Sequence, residues 1–282
     1  MSRYLRLRLP SPGMAVSNVL AWGYALLLVI PLFYLVVSSF KQNVSIFTRP
    51  FAIAVETGWD NFTAAIERAG LVQATANSLL VTVLAEVLTL ALAIPAAYAL
   101  ARSTGRVAAI VERFFGLGFL IPGFAALVPT VLLAVQLGLF QTRTFLVLFL
   151  PAGALPLSVI MLTQFMRTVP PALEEAASLD GASRLQILMK VYVPITMPGI
   201  ATVVILNFLN FWNEYLFALV LAGPDPVVRT TQVALPSLIS QNNTEYGVLA
   251  AGTLLTLVPV FIVYLVLQRR MERAMLSGAV KL

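Results

Sequence analysis

Residues 74–101 read ATANSLLVTVLAEVLTLALAIPAAYALA, and Glu86 is the one charged side chain in this stretch. A bilayer core about 30 Å thick is crossed by roughly 20 apolar residues in a helix. Further apolar stretches follow the same pattern, at approximately 16–40, 107–139, 145–165, 199–221 and 248–268. The sequence therefore predicts an all-α, polytopic membrane protein with six transmembrane helices, forming a single domain over residues 1–282.

Composition agrees with that class and excludes several chemistries. Hydrophobic residues make up 60% of the chain, 11% are charged and the mean hydropathy is +0.92, whereas soluble domains are nearer half apolar and a quarter charged. The chain contains neither histidine nor cysteine. Ser-His-Asp, Cys-His and histidine-based zinc sites are therefore unavailable, and we predict no catalytic residue and no metal site. A membrane enzyme that uses carboxylate chemistry is the alternative that this composition leaves open.

The distribution of Lys and Arg residues along the chain predicts its topology in the membrane. The net charge is +6 and the pI is near 9.9. With the N-terminus inside, the cytoplasmic segments hold thirteen of the 18 Lys and Arg residues, which is the excess that the positive-inside rule describes. We therefore predict a multi-pass protein of the cytoplasmic (inner) membrane with both termini in the cytoplasm. Membrane lipid is its expected surrounding, and no nucleic acid is an expected partner.

Three segments outside the regular spans are distinctive. The third stretch contains Pro122 and Pro129, which predict a kinked or tilted helix. The external segment at about 42–73 contains Trp59, and the one at about 222–247 opens with a turn-rich sequence at 223–226. Either external segment is a surface for a partner or a simple connector, and the sequence leaves both readings open.

The cytoplasmic loop at 167–198, between spans four and five, is predicted to form a helix, a turn and a second helix. Pro171 suits the start of the first helix, and Gly181 permits the positive φ that ends helices. Ser183 with Gln186 is a capping-box pattern for the second helix, whose apolar face at 3.6-residue spacing holds Leu185, Leu188, Met189 and Tyr192. Pro194 and Pro198 are predicted to end this helix before span five.

The loop resembles the Glu-Ala-Ala (EAA) loop of ATP-binding-cassette (ABC) importer permeases. Glu175-Ala176-Ala177 is followed, at the family spacing, by Asp180-Gly181-Ala182 and by Val191-Tyr192-Val193-Pro194. Val191 and Val193 depart conservatively from the Ile and Leu of that pattern. The resemblance implies a coupling-helix hairpin that docks in a groove of an ATPase subunit, through Glu174, Glu175, Ala176, Ala177, Asp180, Gly181, Ala182 and Pro194.

Other motifs resemble the carbohydrate-uptake, maltose-permease-like branch of that family. They are Asn77-Ser78-Leu79, the stretch from Ala97 to Arg102, Leu120-Ile121-Pro122-Gly123, Trp212-Asn213-Glu214-Tyr215 and the terminal stretch from Ser277 to Lys281. The resemblance implies a sugar-importer subunit that forms half of the translocation path. It also implies three kinds of partner: a second homologous permease, two ATPase subunits and an external substrate-binding protein. The terminal tail either contacts the ATPase pair or frays.

No lysine follows a glycine in this chain, so the phosphate-binding Gly-Lys-Ser/Thr loop is absent. We therefore expect no cofactor in this chain and ATP bound by a partner subunit. Within the spans, Asn207, Asn210 and Glu214 are predicted to follow one stripe of span five. They line the path, or they form interhelical hydrogen bonds between the two permeases. Glu86 or Glu214 would be the ion site of the alternative, a proton- or ion-coupled secondary carrier.

Overall fold

The computed structural model describes residues 12–118, 120, 123–239 and 244–279. Its regular structure over these ranges is helical, without a β-strand, which confirms the predicted all-α class. The helices are α1 (Pro12–Ser38), α2 (Asn43–Thr48), α3 (Asp60–Arg68), α4 (Leu71–Arg102), α5 (Arg106–Gly118), α6 (Leu127–Gln136), α7 (Arg143–Arg167), α8 (Pro171–Leu179), α9 (Arg184–Ile187), α10 (Val193–Trp212), α11 (Thr231–Ala234) and α12 (Tyr246–Ala279).

Five helical stretches in the described part of the chain are long and apolar enough to cross a membrane. They are Val16–Ser38, Leu71–Arg102, Arg143–Arg167, Arg184–Trp212 and Tyr246–Gln268. The predicted third span is a bent pair, Arg106–Gly118 and Gly123–Gln136, whose axes differ by 92°, in agreement with the predicted kink. If this pair is one broken span, the total is the predicted six. Pro122 lies outside the described residues, and Pro129 lies in the first turn of α6.

The chain divides into two compact units, Met1–Ala65 with Leu238–Leu255 and Ile66–Ser237 with Thr256–Leu282. In the first unit, buried polar side chains donate hydrogen bonds to the backbone that follows α1 and hold it in place. The Asn61 amide donates to the carbonyls of Ser39 (2.9 Å) and Lys41 (3.1 Å). The Lys41 ammonium, 1% exposed, donates to the carbonyls of Arg49 and Pro50. Buried donors thus satisfy backbone carbonyls between Ser39 and Pro50, a stretch that includes the start of the 42–73 segment.

In the second unit, α4 packs along α7 and α10 through two buried apolar clusters. One contains Ala85 and Leu150, and the other contains Ala93 and Leu162. Alanine at these α4 positions lets neighbouring helix backbones approach closely. The same holds between α7 and α10, where a Cβ on Gly199 would overlap the ring of Phe165.

The junction between the hairpin and span five differs from the prediction. Pro194 and Pro198 do not end the second helix, which continues from Arg184 to Trp212. A π-helical turn at Leu188–Tyr192 precedes the prolines, and the Val193 N–H bonds to the Leu188 carbonyl, five residues back. Pro194 then stands in the first turn of α10. This position tolerates proline, because the wider turn before it has already changed the hydrogen-bond register. The helix also ends at Trp212, before the predicted Leu221.

Candidate functional site

The loop at 167–198 forms the predicted helical hairpin. Helix α8 begins with Pro171 and ends at Leu179, with Asp180 as its C-cap. Gly181 follows with φ of +81°, a conformation that glycine adopts without strain. Ser183 and Gln186 form both bonds of the capping box: the Gln186 N–H donates to Ser183 Oγ, and the Ser183 N–H donates to Gln186 Oε1. The turn is therefore fixed by local sequence.

Of the residues predicted to couple to an ATPase, Glu175, Ala176, Ala177, Asp180, Gly181 and Ala182 lie in α8 or in the turn that follows it. Glu175, Ala176, Asp180 and Gly181 are exposed, and the small side chains of Ala177 and Ala182 are half-buried against the second apolar cluster. The Ala182 N–H bonds to the Ala177 carbonyl at 3.0 Å and so closes the turn. Pro194 is exposed but lies in α10, away from the turn in sequence.

The predicted apolar face of the second helix is divided. Leu188 and Tyr192 are buried, whereas Leu185 and Met189 are 68% and 55% exposed. The π-helical turn changes the angular spacing of these positions, so the four residues do not share one side. With Leu179, which is 89% exposed, Leu185 and Met189 give the hairpin an exposed apolar surface.

Glu174 accepts more side-chain hydrogen bonds than the other acidic residues of the hairpin. Its carboxylate accepts hydrogen bonds from Tyr98 OH (2.9 Å), Arg102 Nε (2.5 Å) and Tyr192 OH (2.8 Å). Burial raises the pKa of the Glu174 carboxyl, but the hydrogen bonds from Arg102, Tyr192 and Tyr98 lower it by more, so this pKa lies below its ordinary value. The carboxylate is therefore ionised at neutral pH and tied to two other elements.

This arrangement was not predicted. The sequence marks Tyr98 and Arg102 only as part of a family-like stretch, and Tyr192 only as an apolar residue and as part of the motif that ends at Pro194. The available signal was the spacing of Tyr98 and Arg102, which are four residues apart and so lie on one side of α4. Tyr192 completes the cluster, with its ring 4.8 Å from that of Tyr98 and 5.3 Å from the Arg102 guanidinium.

The residues predicted to follow one stripe of span five are separated. Asn207 is 2% exposed, whereas Asn210 is exposed on the same helix. Glu214 lies beyond the end of α10, where its Oε1 accepts the N–H of Phe217 at 2.8 Å. Trp212 is buried, and its indole donates to the Thr256 carbonyl. Only Asn210 among the three predicted path residues therefore presents an exposed side chain from within a span.

Glu86, Ser158 and Asn207 form a buried polar layer between the two apolar clusters. Asn207 Nδ2 lies 3.0 Å from Ser158 Oγ and 3.5 Å from Glu86 Oε1. Glu86 Oε2 has no hydrogen-bond partner within the described ranges. Asn207 therefore makes its interhelical hydrogen bond inside this chain, between α10 and α7, and not with a second permease as the alternative expected.

Asn77 and Ser78 hold the segment that follows Gly223. The Asn77 amide donates to the carbonyls of Val227 and Arg229, both at 2.9 Å. The Ser78 hydroxyl accepts the N–H of Thr231 at 2.9 Å. The Asn-Ser motif at the start of α4 therefore fixes the course of the predicted external loop.

Residues 90–277 match the family described as binding-protein-dependent transport system inner membrane component. The chain is 32% identical over 265 residues to the diacetylchitobiose uptake system permease protein NgcG of Streptomyces coelicolor, covering 94% of this chain and 88% of the relative. It is 29% identical over 270 residues to the melibiose/raffinose/stachyose import permease protein MelC of Bacillus subtilis, covering 95% of this chain and 97% of the relative.

Solved structures show the same fold. A chain of a bacterial ABC transporter involved in the import of the acidic polysaccharide alginate superposes with a TM-score of 0.78 at 24% identity, over 95% of this chain and 99% of that one. A chain of a bacterial alginate ABC transporter in complex with an alginate pentasaccharide-bound periplasmic protein gives a TM-score of 0.68 at 18% identity, over 93% of both chains.

Proposed function

Because the chain belongs to the family of inner-membrane components of binding-protein-dependent transport systems, we propose that it is a permease subunit of an ABC importer for a sugar or a sugar-like solute. The substrate class is supported by relatives whose names specify the uptake of diacetylchitobiose and of melibiose, raffinose and stachyose. In this proposal the chain forms half of the translocation path, and a second homologous permease forms the other half.

The hairpin of this chain docks on one of two ATPase subunits that bind and hydrolyse ATP. The observation that carries this proposal is the exposed turn at Glu175, Ala176, Asp180 and Gly181 beside exposed Leu179. Small residues at a turn allow a partner backbone to approach closely, and the exposed leucine supplies apolar area for docking. This chain binds no cofactor, and both of its termini lie in the cytoplasm.

Two further parts of the chain have roles in this proposal. An external substrate-binding protein delivers the solute, as the complex of an alginate transporter with a periplasmic protein suggests by analogy. Asn210, the exposed amide of α10, faces the path, while Asn207 and Glu214 support the helix and its end. Amide side chains suit solutes that carry many hydroxyl groups, since they both donate and accept hydrogen bonds.

Affinity purification of the tagged chain from native membranes in mild detergent tests the proposal. We expect an ATPase with a phosphate-binding loop and a second six-span permease to co-purify. Ala176→Trp, on the exposed surface of α8, is expected to remove the ATPase and to retain the second permease. The matched control is Ala52→Trp at another exposed alanine, which is expected to retain both.

The secondary carrier is not favoured, because the relatives are importer permeases and the Glu214 carboxylate caps a backbone N–H. A chain that purified alone or as a homo-oligomer, and that moved solute without ATP, would overturn the importer proposal.

A further inference from the structure

The two adjacent glutamates of the hairpin have different environments. Glu175 is exposed. The Glu174 side chain is only 25% exposed, and that of its partner Arg102 is 22% exposed. One carboxylate is thus available to another protein, while its neighbour is directed into this subunit.

The donors to Glu174 come from two elements. Tyr98 and Arg102 lie in the last turns of α4, and Tyr192 lies in the π-helical turn that leads into α10. The hairpin is joined directly by the chain to α7 and α10. Glu174, however, is 72 residues from Arg102 in sequence. The bonds from Tyr98 and Arg102 therefore connect the hairpin to a span that chain continuity does not reach.

We propose that Glu174 is a positioning residue that fixes the coupling hairpin to α4 through Tyr98 and Arg102, so that movement imposed on the hairpin by the ATPase is passed to α4 as well as to α7 and α10. This inference rests on the proposed function. It assigns a role to a residue that touches neither ATP nor solute.

The geometry favours a rigid connection. Three donors on one carboxylate, two of them on Oε2, leave the side chain little rotational freedom, and charge-assisted bonds are the stronger kind. The Arg102 guanidinium also lies over the Tyr192 ring, and the Tyr98 ring packs against that of Tyr192 at an interplanar angle of 66°. Elements joined in this way move as one body, which is how a local displacement becomes movement of a helix.

The test is the ratio of solute imported to ATP hydrolysed by the complete importer in proteoliposomes. Glu174→Gln preserves the shape of the side chain and removes its charge. We expect the complex to assemble normally and the ratio to fall roughly tenfold, a typical size for a coupling between sites. Tyr98→Phe removes one hydroxyl and should give a smaller decrease. Glu67→Gln, at an exposed glutamate of α3, is the matched control and should leave the ratio unchanged.

Exchanging the two charged residues distinguishes a positioning role of Glu174 from a general effect on stability. Arg102→Glu alone should lower the ratio, and adding Glu174→Arg should restore most of it, because tyrosine hydroxyls can accept hydrogen bonds from arginine as well as donate them to a carboxylate. If Glu174→Gln reduces only the amount of assembled complex and each complex couples normally, the inference is overturned. Normal coupling in every variant overturns it as well.

The outcomes also distinguish this inference from the proposed function. A wild-type complex that imports solute without hydrolysing ATP would refute the proposed function itself. A coupled wild type whose Glu174→Gln form is coupled equally well would refute only the role of Glu174.

Discussion

Asn207 donates a hydrogen bond to Ser158, with amide Nδ2 and hydroxyl Oγ 3.0 Å apart and both side chains buried. The same nitrogen lies 3.5 Å from Oε1 of Glu86. The three side chains belong to α10, α7 and α4, so one amide connects three membrane-spanning helices. Interhelical hydrogen bonds in membranes contribute about 0.6–2 kcal/mol each.

Asn207→Ala is therefore expected to destabilise the second unit by about 1–2 kcal/mol, because it leaves buried polar atoms without a partner. Thermal unfolding of the purified protein in detergent measures this loss. Asn210→Ala is the control, since its side chain is exposed and its removal should leave the unfolding temperature unchanged. Equal losses in the two variants would contradict the arrangement.

Glu86→Gln is expected to preserve both the fold and ATP-driven transport. An ionised group inside the bilayer is costly, so a neutral side chain of the same shape should be at least as compatible with this buried layer. Transport in proteoliposomes is the measurement, and Glu86→Lys, which places a positive charge at the same depth, should abolish accumulation of the protein. Loss of transport in a stable, assembled Glu86→Gln protein would instead indicate an ion site and revive the carrier hypothesis.

Gly199→Ala is expected to destabilise the packing of α7 against α10. The added methyl group would overlap the Phe165 ring, and overpacking of this kind typically costs about 1–3 kcal/mol. Gly153→Ala, at a helical glycine with open space around its Cβ position, should be neutral or slightly stabilising. Chemical denaturation compares the pair, and Phe165→Leu combined with Gly199→Ala should recover part of the loss.

The pH dependence of stability should report the Glu174 contacts with Arg102, Tyr98 and Tyr192. The pKa of Glu174 is lower when folded than its ordinary value of 4.5. The stability that it contributes is therefore complete above pH 4.5 and is lost as the pH falls through the lower folded pKa. Wild type should exceed Glu174→Gln in unfolding temperature at pH 7, and the difference should close in acid. A difference that persists unchanged at acid pH would contradict this account.

Much of the fold could be predicted, because it depends on local chemistry. Apolar length identified α1, α4, α7 and α12, and the turn residues Gly181 and Ser183 identified the hairpin. The course of the helix through Pro194 was not predictable by the same reasoning, since a proline normally ends a helix. A π-helical turn has no simple sequence pattern, and only the structure shows that it accommodates this proline.

In the candidate site, too, the features that depend on local sequence could be predicted, and those that depend on distant residues could not. Exposure of Glu175 and Gly181 follows from a surface hairpin, and the motif spacing located both. The environment of Glu174 depends on donors at Tyr98 and Arg102, far away in sequence, so no local pattern reveals it. Asn207 and Asn210 are equally polar in sequence, and their different burial is decided by neighbouring helices.

The unbroken helix from Arg184 to Trp212 has a mechanical consequence. At 1.5 Å per residue, its 29 residues extend about 43 Å. The capped turn at Ser183 is one end of this rod, and Asn207 lies near the other. A tilt of about 10° pivoting at the turn would displace the far end by about 7 Å over that length. A small rotation at the hairpin would thus produce a larger displacement at the polar layer, because the helix acts as a rigid arm between them.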